Sequence, residues 1–234
     1  MNKKSFPFFI VIIFILFTGC DSKSGSGNIV TETRNTGSFD GVSVSGNFNV
    51  EIKKGSKEQV IIEADDNLIK NIETTVTGGT LRIRTSDNNL HDPHFKVFIT
   101  AMYIDNLSAS ASAIIDVKDI LVSERELELD ASSAAIINTA IDAPEVSAEA
   151  SSGGELNLSG RTKTLKATTS SGASIKAMNL LSERSIVNSS SGATAKVHAS
   201  ISLDASASSG SNISYRGGAN VKKSTSSGAE VEKE

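Results

Sequence analysis

The amino-acid sequence predicts an all-β chain: a right-handed parallel β-helix, or β-solenoid, with rungs of about 18–22 residues and a β-rich N-terminal cap. The first observation is a recurring Ser-Ser-Gly that ends at Gly153, Gly172, Gly192, Gly210 and Gly228, at intervals of 19, 20, 18 and 18 residues. Ala134 and Ser112 carry the series upstream by 19 and 22. A fixed period of this length marks stacked structural repeats.

The second observation is what falls in register when the glycines are superposed. Odd-numbered columns are apolar: at minus seven Leu127, Val146, Leu165, Leu203 and Val221, and at plus three Ile115, Ile137, Leu156, Ile175, Ala195, Ile213 and Val231. The third is that even columns are polar, as at minus four, where Asp130, Glu149, Thr168, Asn188, Ser206 and Ser224 stand. Alternation with period two is the pattern of half-buried strands. Each rung therefore reads as two strands bent at the tripeptide, followed by a few less regular residues that return the chain.

The corner has its own chemistry. Gly153, Gly172, Gly192, Gly210 and Gly228 supply the positive φ of a tight bend and leave no Cβ to crowd the next rung. The preceding serines, Ser133, Ser152, Ser171, Ser191, Ser209 and Ser227, fall in the inward phase, which predicts a buried hydroxyl ladder. The serines one place earlier are expected to face water. About seven rungs at roughly 4.8 Å make a rod some 30 Å long, and parallel crossovers favour the right-handed form.

Taken from its start, the chain opens with Lys3 and Lys4, an apolar run from Phe6 to Phe17, and Thr18-Gly19-Cys20. This is the pattern of a secretory signal over residues 1–19. The only cysteine, Cys20, stands at the cleavage point in a lipobox-like setting, with Phe17 in place of the usual leucine. That predicts an exported lipoprotein held to the membrane by acyl chains on Cys20, in the outer membrane or at the cell surface. Residues 20–35 read as a flexible lipidated tether, rich in Gly and Ser.

Removal of Lys3 and Lys4 leaves 21 basic against 27 acidic residues. That balance argues against a nucleic-acid partner and offers no polybasic patch for anionic lipid. Residues 36–107 form the β-rich N-terminal part, with strands around Val42–Ile52 and Val60–Ile62 and a hairpin at Val76-Thr77-Gly78-Gly79-Thr80-Leu81. Asp65 to Ile72 reads as one or two helical turns capped by Asp or Asn. Residues 108–234 are the Ser-Ser-Gly solenoid.

Ser38-Phe39-Asp40-Gly41-Val42-Ser43-Val44-Ser45-Gly46, then Val50-Glu51-Ile52-Lys53-Lys54-Gly55, Ala64-Asp65-Asp66-Asn67-Leu68 and Gly79-Thr80-Leu81-Arg82-Ile83 resemble the opening of a bacterial family. That family is the putative autotransporter adhesin head, or GIN domain, family. The likeness extends over about residues 36–234. It implies a β-helical, exported, often lipid-anchored protein of the kind found in Bacteroidetes-like bacteria, and it carries over no catalytic residue. Met102-Tyr103 departs from it where a proline is more familiar, which affects the local turn.

Few residues suggest chemistry. His91-Asp92-Pro93-His94, with Asp87 nearby, holds metal-ligand atoms, but proline breaks the helix that would align them, so the segment reads as a solvated loop with no metal. His198 reads as an outward rung residue. Asp130 and Glu149 lie on successive rungs without the basic cluster that a polysaccharide-acting β-helix enzyme would need. No cofactor motif occurs. The reading is a non-enzymatic envelope protein presenting a repetitive polar face to a glycan or protein ligand. The alternative is an envelope scaffold without an external ligand.

Overall fold

The computed structural model describes residues 23–86, 89–91 and 93–234. The signal segment, Cys20, Asp87, Asp92 and the side chain of His91 lie outside the described residues. What is described is a β-solenoid. The stacking of equivalent residues is set by parallel ladders: Ile115 lies on Ile137, Ile137 on Leu156, Leu156 on Ile175, Ile175 on Ala195, Ala195 on Ile213 and Ile213 on Val231. These seven residues form one buried file on the second side of each rung. On the first side, Leu107, Leu129, Ala148, Ala167, Val187 and Ala205 form another.

The corners differ from expectation in two respects. Ser133, Ser152, Ser171, Ser191, Ser209 and Ser227 do not point inward; all six are exposed, with φ between 49° and 54°. Each is followed by a second residue of positive φ, so the corner is a pair of left-handed residues, as in a type I′ turn. The turn is closed by the residue after the glycine, as when Gly154 N–H donates to Ser151 O at 2.8 Å and Ala173 N–H to Ser170 O at 3.1 Å. The ladder at the corner is made of backbone: Gly153 N–H donates to Ser171 O, Gly172 to Ser191, Gly192 to Ser209 and Gly210 to Ser227, at 3.0–3.2 Å.

Nor does the corner glycine make room for a neighbour. A Cβ added at Gly153, Gly172, Gly192, Gly210 or Gly228 would meet nothing within 4 Å. The glycine serves only the left-handed backbone, and Ala134 (φ 62°) and Ser112 (φ 67°) hold the same place upstream. Close approach occurs elsewhere. At Gly160 a Cβ would lie 2.1 Å from Ile141 O, and at Gly217 1.9 Å from Ala199 O.

Both glycines are on the return side of the rung, which is more regular than its sequence suggests. Ala140, Ile141 and Asp142 pair in register with Ser159, Gly160 and Arg161, and these in turn with Asn179, Leu180 and Leu181. Three strands, Ile136–Ala150, Glu155–Thr169 and Ser174–Ser189, run unbroken from one corner almost to the next. Differences in rung length are absorbed here, by irregularities between Asp116 and Ile120 and between Asn157 and Ser159.

The N-terminal part is at once an early rung and a cap. Gly41–Ser45 and Asn49–Lys54 pair parallel with Asn106–Ser110 and Ile114–Val122, extending both files. Thr80–Thr85 and Phe95–Ala101 pair parallel beneath them. The stack is then closed by antiparallel strands: Ile72–Thr77 on Thr80–Thr85, Gln59–Asp65 on Phe95–Ala101, and Ile29–Arg34 on Gln59–Asp65. Phe48 and Phe95 stack at 5.0 Å where the early rung meets the cap.

The predicted helix shrinks to one 3₁₀ turn, Ile69–Asn71, without a side-chain cap. The expected capping groups are engaged with the N-terminal segment instead. Gly27 N–H and His94 N–H donate to the Asp65 carboxylate at 2.8 and 2.9 Å. The Ser26 hydroxyl and Asn28 amide donate to Asp66 at 2.6 and 2.8 Å, and the Asn67 amide donates to Ser24 O. The stretch expected to be a flexible tether is thus bound to the body from Lys23 onward, where Lys23–Ser24 pair with Leu90–His91.

Gly172→Ala is expected to lower stability by about 1 kcal/mol, the cost of one left-handed non-glycine residue. Gly160→Ala adds a backbone collision to that cost and should lose at least twice as much in urea unfolding; equal losses would contradict the assignment of the two glycine roles.

Candidate functional site

The two long sides of the solenoid carry outward columns of different character. On the second side the polar side chains bond to one another. The Asn138 amide donates to Asp116 at 2.7 Å, and the Asn157 amide donates to Asn138 at 2.7 Å and to Glu155 at 2.8 Å. Lys176 pairs with Glu155 at 2.7 Å, and Lys196 with Glu234 at 3.0 Å. The Lys176 ammonium, ahead of the cost of burial, holds the Glu155 carboxyl below its ordinary range.

The first side has such pairs along one column, as between Asn106 and Glu128 and between Lys222 and Asp204, but its other column is unlike this. Thr168, Asn188, Ser206 and Ser224 stand in one outward column, with Ser190, Ser208 and Ser226 beside it, and among the described residues none of these side chains donates or accepts a hydrogen bond. Together they line a shallow groove of about 240 Å³, uncharged and edged mainly by hydroxyl and amide side chains. The strand spacing repeats its hydroxyl and amide groups every ~4.8 Å along the axis. Groups of this kind hold water that a ligand can replace bond for bond.

The same column turns acidic toward the N-terminal end, where Asp130 and Glu149 lie directly opposite one another on adjacent strands. Burial first, and then the charge of Glu149, raise the Asp130 carboxyl above its ordinary range, against a smaller opposing effect of the Ser108 hydroxyl. No base completes this pair: Lys166, on the next rung, is drawn to Glu145 and Glu126. The buried hydroxyls expected at the corner occur one step inside it, where Thr169 Oγ1 donates to Ser189 Oγ at 2.8 Å and Ser211 Oγ to Ser189 O at 2.8 Å.

His94 is exposed, and its contact with Asp65 is made by backbone N–H, not by the ring. Among the described residues no three His, Cys, Asp or Glu side chains gather to hold a metal ion. His198 is half-buried, with Nδ1 3.2 Å from Ser182 O. The groups that sequence reasoning missed are Asp65, Asp66 and Asn67, whose binding of the N-terminal segment spans some forty residues and leaves no local pattern. No helix among the described residues is long and apolar enough to cross a membrane.

Comparison with known proteins bears on the fold and the family. A family model described as putative auto-transporter adhesin, head GIN domain, matches residues 38–219. The fold is similar to that of a putative adhesin from Bacteroides fragilis, with TM-score 0.82 at 16% identity over 91% of this chain and 99% of that one. It is also similar to a putative adhesin from Parabacteroides distasonis, with TM-score 0.74 at 18% identity over 91% and 100% of the two chains. A putative lipid binding protein from the same species gives TM-score 0.72 at 20% identity over 91% and 99%. No curated protein matches the chain.

The raised Asp130 carboxyl has a consequence for stability. An acid whose folded pKa lies above its unfolded value favours folding below the unfolded value, and that contribution is lost as pH rises through the folded one. Asp130→Asn should therefore stabilise the protein at neutral pH by about 0.5 kcal/mol, the scale of a cross-strand like-charge contact. The gain should vanish below the ordinary aspartate range. A gain that persists in acid would place its cause outside ionisation.

Proposed function

The chain belongs to the family described as putative auto-transporter adhesin, head GIN domain, and from that membership we propose that it is a non-enzymatic, lipid-anchored envelope protein whose first solenoid side presents a repetitive polar face to a glycan or protein ligand. One observation carries the choice of face. On the second side Asn138, Asn157 and Lys176 are bonded to neighbouring rungs, whereas the side chains of Thr168, Asn188, Ser206 and Ser224 have no hydrogen-bond partner among the described residues. A surface of neutral hydroxyls and amides on a rigid ladder gains affinity by repetition, many weak hydrogen bonds acting from one preorganised frame. Binding is favoured over catalysis because the carboxylates on that face, Asp130 and Glu149, face each other without an adjacent base.

The anchor is supported by the apolar leader and by Cys20 as the only thiol. The attachment of residues 24–28 to Asp65, Asp66 and Asn67 shortens the free tether to a few residues, so a lipid on Cys20 would hold the cap end of the solenoid close to the bilayer.

The purified protein is expected to give signals on a glycan and matrix-protein array that are lost in Asn188→Lys and Thr168→Lys and kept in Lys176→Ala on the second side. Silence from the folded wild type would favour the scaffold reading. Separately, Cys20→Ser should abolish palmitate labelling and move the protein from the membrane to the soluble fraction; unchanged membrane retention would exclude the lipid anchor.

A further inference from the structure

The return side holds a groove of about 560 Å³ that the polar face does not involve. Its volume falls in the range of small-ligand sites, about 300–1,000 Å³. It opens because the rungs shorten. The paired residues Ala177 and Val197 are followed by Ser182 and Ser200, where Ser200 N–H donates to Ser182 O at 3.1 Å. The later rung reaches that bond in two fewer residues, so its wall falls back and leaves a ledge.

Three successive rungs line the groove with residues that flank a small inward one. Arg161 and Lys163 flank buried Thr162; in the rungs to either side Asp142 and Pro144 flank Ala143, and Leu181 and Glu183 flank Ser182. Arg161 and Lys163 are two residues apart on one extended strand, about 7 Å, so both cations face the same way. Arg161 is held by Asp142, with Nε to Oδ1 at 2.9 Å and Nη2 to Oδ2 at 2.6 Å. Among the described residues the side chains of Lys163 and Glu183 make no hydrogen bond or ion pair.

The other contacts are chosen for a ligand with more than a charge. Leu181, 57% exposed, offers an apolar surface one rung from Arg161. The Nδ1 of His198 lies against Ser182 O, which makes that nitrogen the donor and leaves Nε2 of the neutral ring as an acceptor.

We propose that this groove binds a carboxylated sugar of the uronic acid class: its carboxylate between Arg161 and Lys163, its ring face over Leu181, and its hydroxyls donating to Glu183 and His198 Nε2. A carboxylate alone would leave the acceptors and Leu181 unused, and a neutral sugar would leave the cations unused. The site is independent of the reading given above for the first side.

The test is titration of the purified protein with glucuronate, glucose and acetate, following the His198 ring signals by NMR. Glucuronate is expected to saturate, with glucose and acetate each at least about tenfold weaker. Lys163→Ala should weaken glucuronate about tenfold, as loss of a charge-assisted hydrogen bond does. Leu181→Ser should weaken it as well. Asp142→Asn, which frees Arg161 from its competing carboxylate, should tighten binding. Equal binding of glucose, an unchanged affinity in Lys163→Ala, or no saturable shift with any of the three would overturn the proposal. Retention of the wild-type unfolding midpoint by each variant ties the changes to the groove.

Discussion

The structure depends on a parity rule at the corner. From the inward residue before the turn to the inward residue after it the chain advances four positions, as from Ala150 to Gly154, Thr169 to Ala173, Ser189 to Ala193 and Ala207 to Ser211, all buried. Four is even, so the period-two phase that faces the axis on one side also faces it on the next. An odd corner would turn every side chain of the second side outward. Two left-handed residues make a four-residue turn possible within one strand spacing. Left-handed serine is disfavoured by about 1 kcal/mol, which is offset by the bond its carbonyl accepts from the corner N–H of the preceding rung.

With corner and sides held in register, variation in rung length has only the return side to occupy. The longest rung, with its irregularity between Asp116 and Ile120, leaves Ile120 and Val122 exposed there, and the step to shorter rungs exposes Leu181 and Ile201. Polar and repetitive long sides thus coexist with a third side that is laddered but changes in length from rung to rung. That division puts the repeating polar face on a long side and the groove at Arg161 and Lys163, a feature that occurs at one height of the stack, on the return side.

The files of buried residues were legible because burial is written directly in the alternation of Ile137, Leu156 and Ile175 with their polar neighbours. The minus-one serines were not. Counting by twos through the corner places them inside, but their direction is set by φ, and Ser carries no signature of the left-handed region as Gly does. The regularity of the return side was hidden for a related reason: its ladder admits Gly160 and Gly217 as necessary residues, although glycine inside a strand ordinarily signals a break. The groove could not be seen at all, since it arises from a difference between rungs, not from any residue type.

The cap shows how a parallel stack ends without leaving its first rung open. Parallel strands need a crossover for every addition, whereas an antiparallel strand needs only a turn, so the chain folds Ile72–Thr77 and Gln59–Asp65 back over the edge and lays Ile29–Arg34 outside them. The outermost strand is then secured by a buried charge. Asp65 is 2% exposed, and a carboxylate in such a place is tolerated only when hydrogen bonds replace its water. The N–H of His94, then that of Gly27, supply them and hold its carboxyl below the ordinary range despite burial. A Cβ at Gly25 would lie 2.4 Å from Asp65 Oδ2, so glycine lets the segment pass without displacing that carboxylate. One carboxylate therefore joins the segment leading from Cys20 to the strand that closes the solenoid, and a pull on that segment bears first on the pairing of Lys23–Ser24 with Leu90–His91 and then on the bonds at Asp65, Asp66 and Asn67, before it reaches the antiparallel strands of the cap.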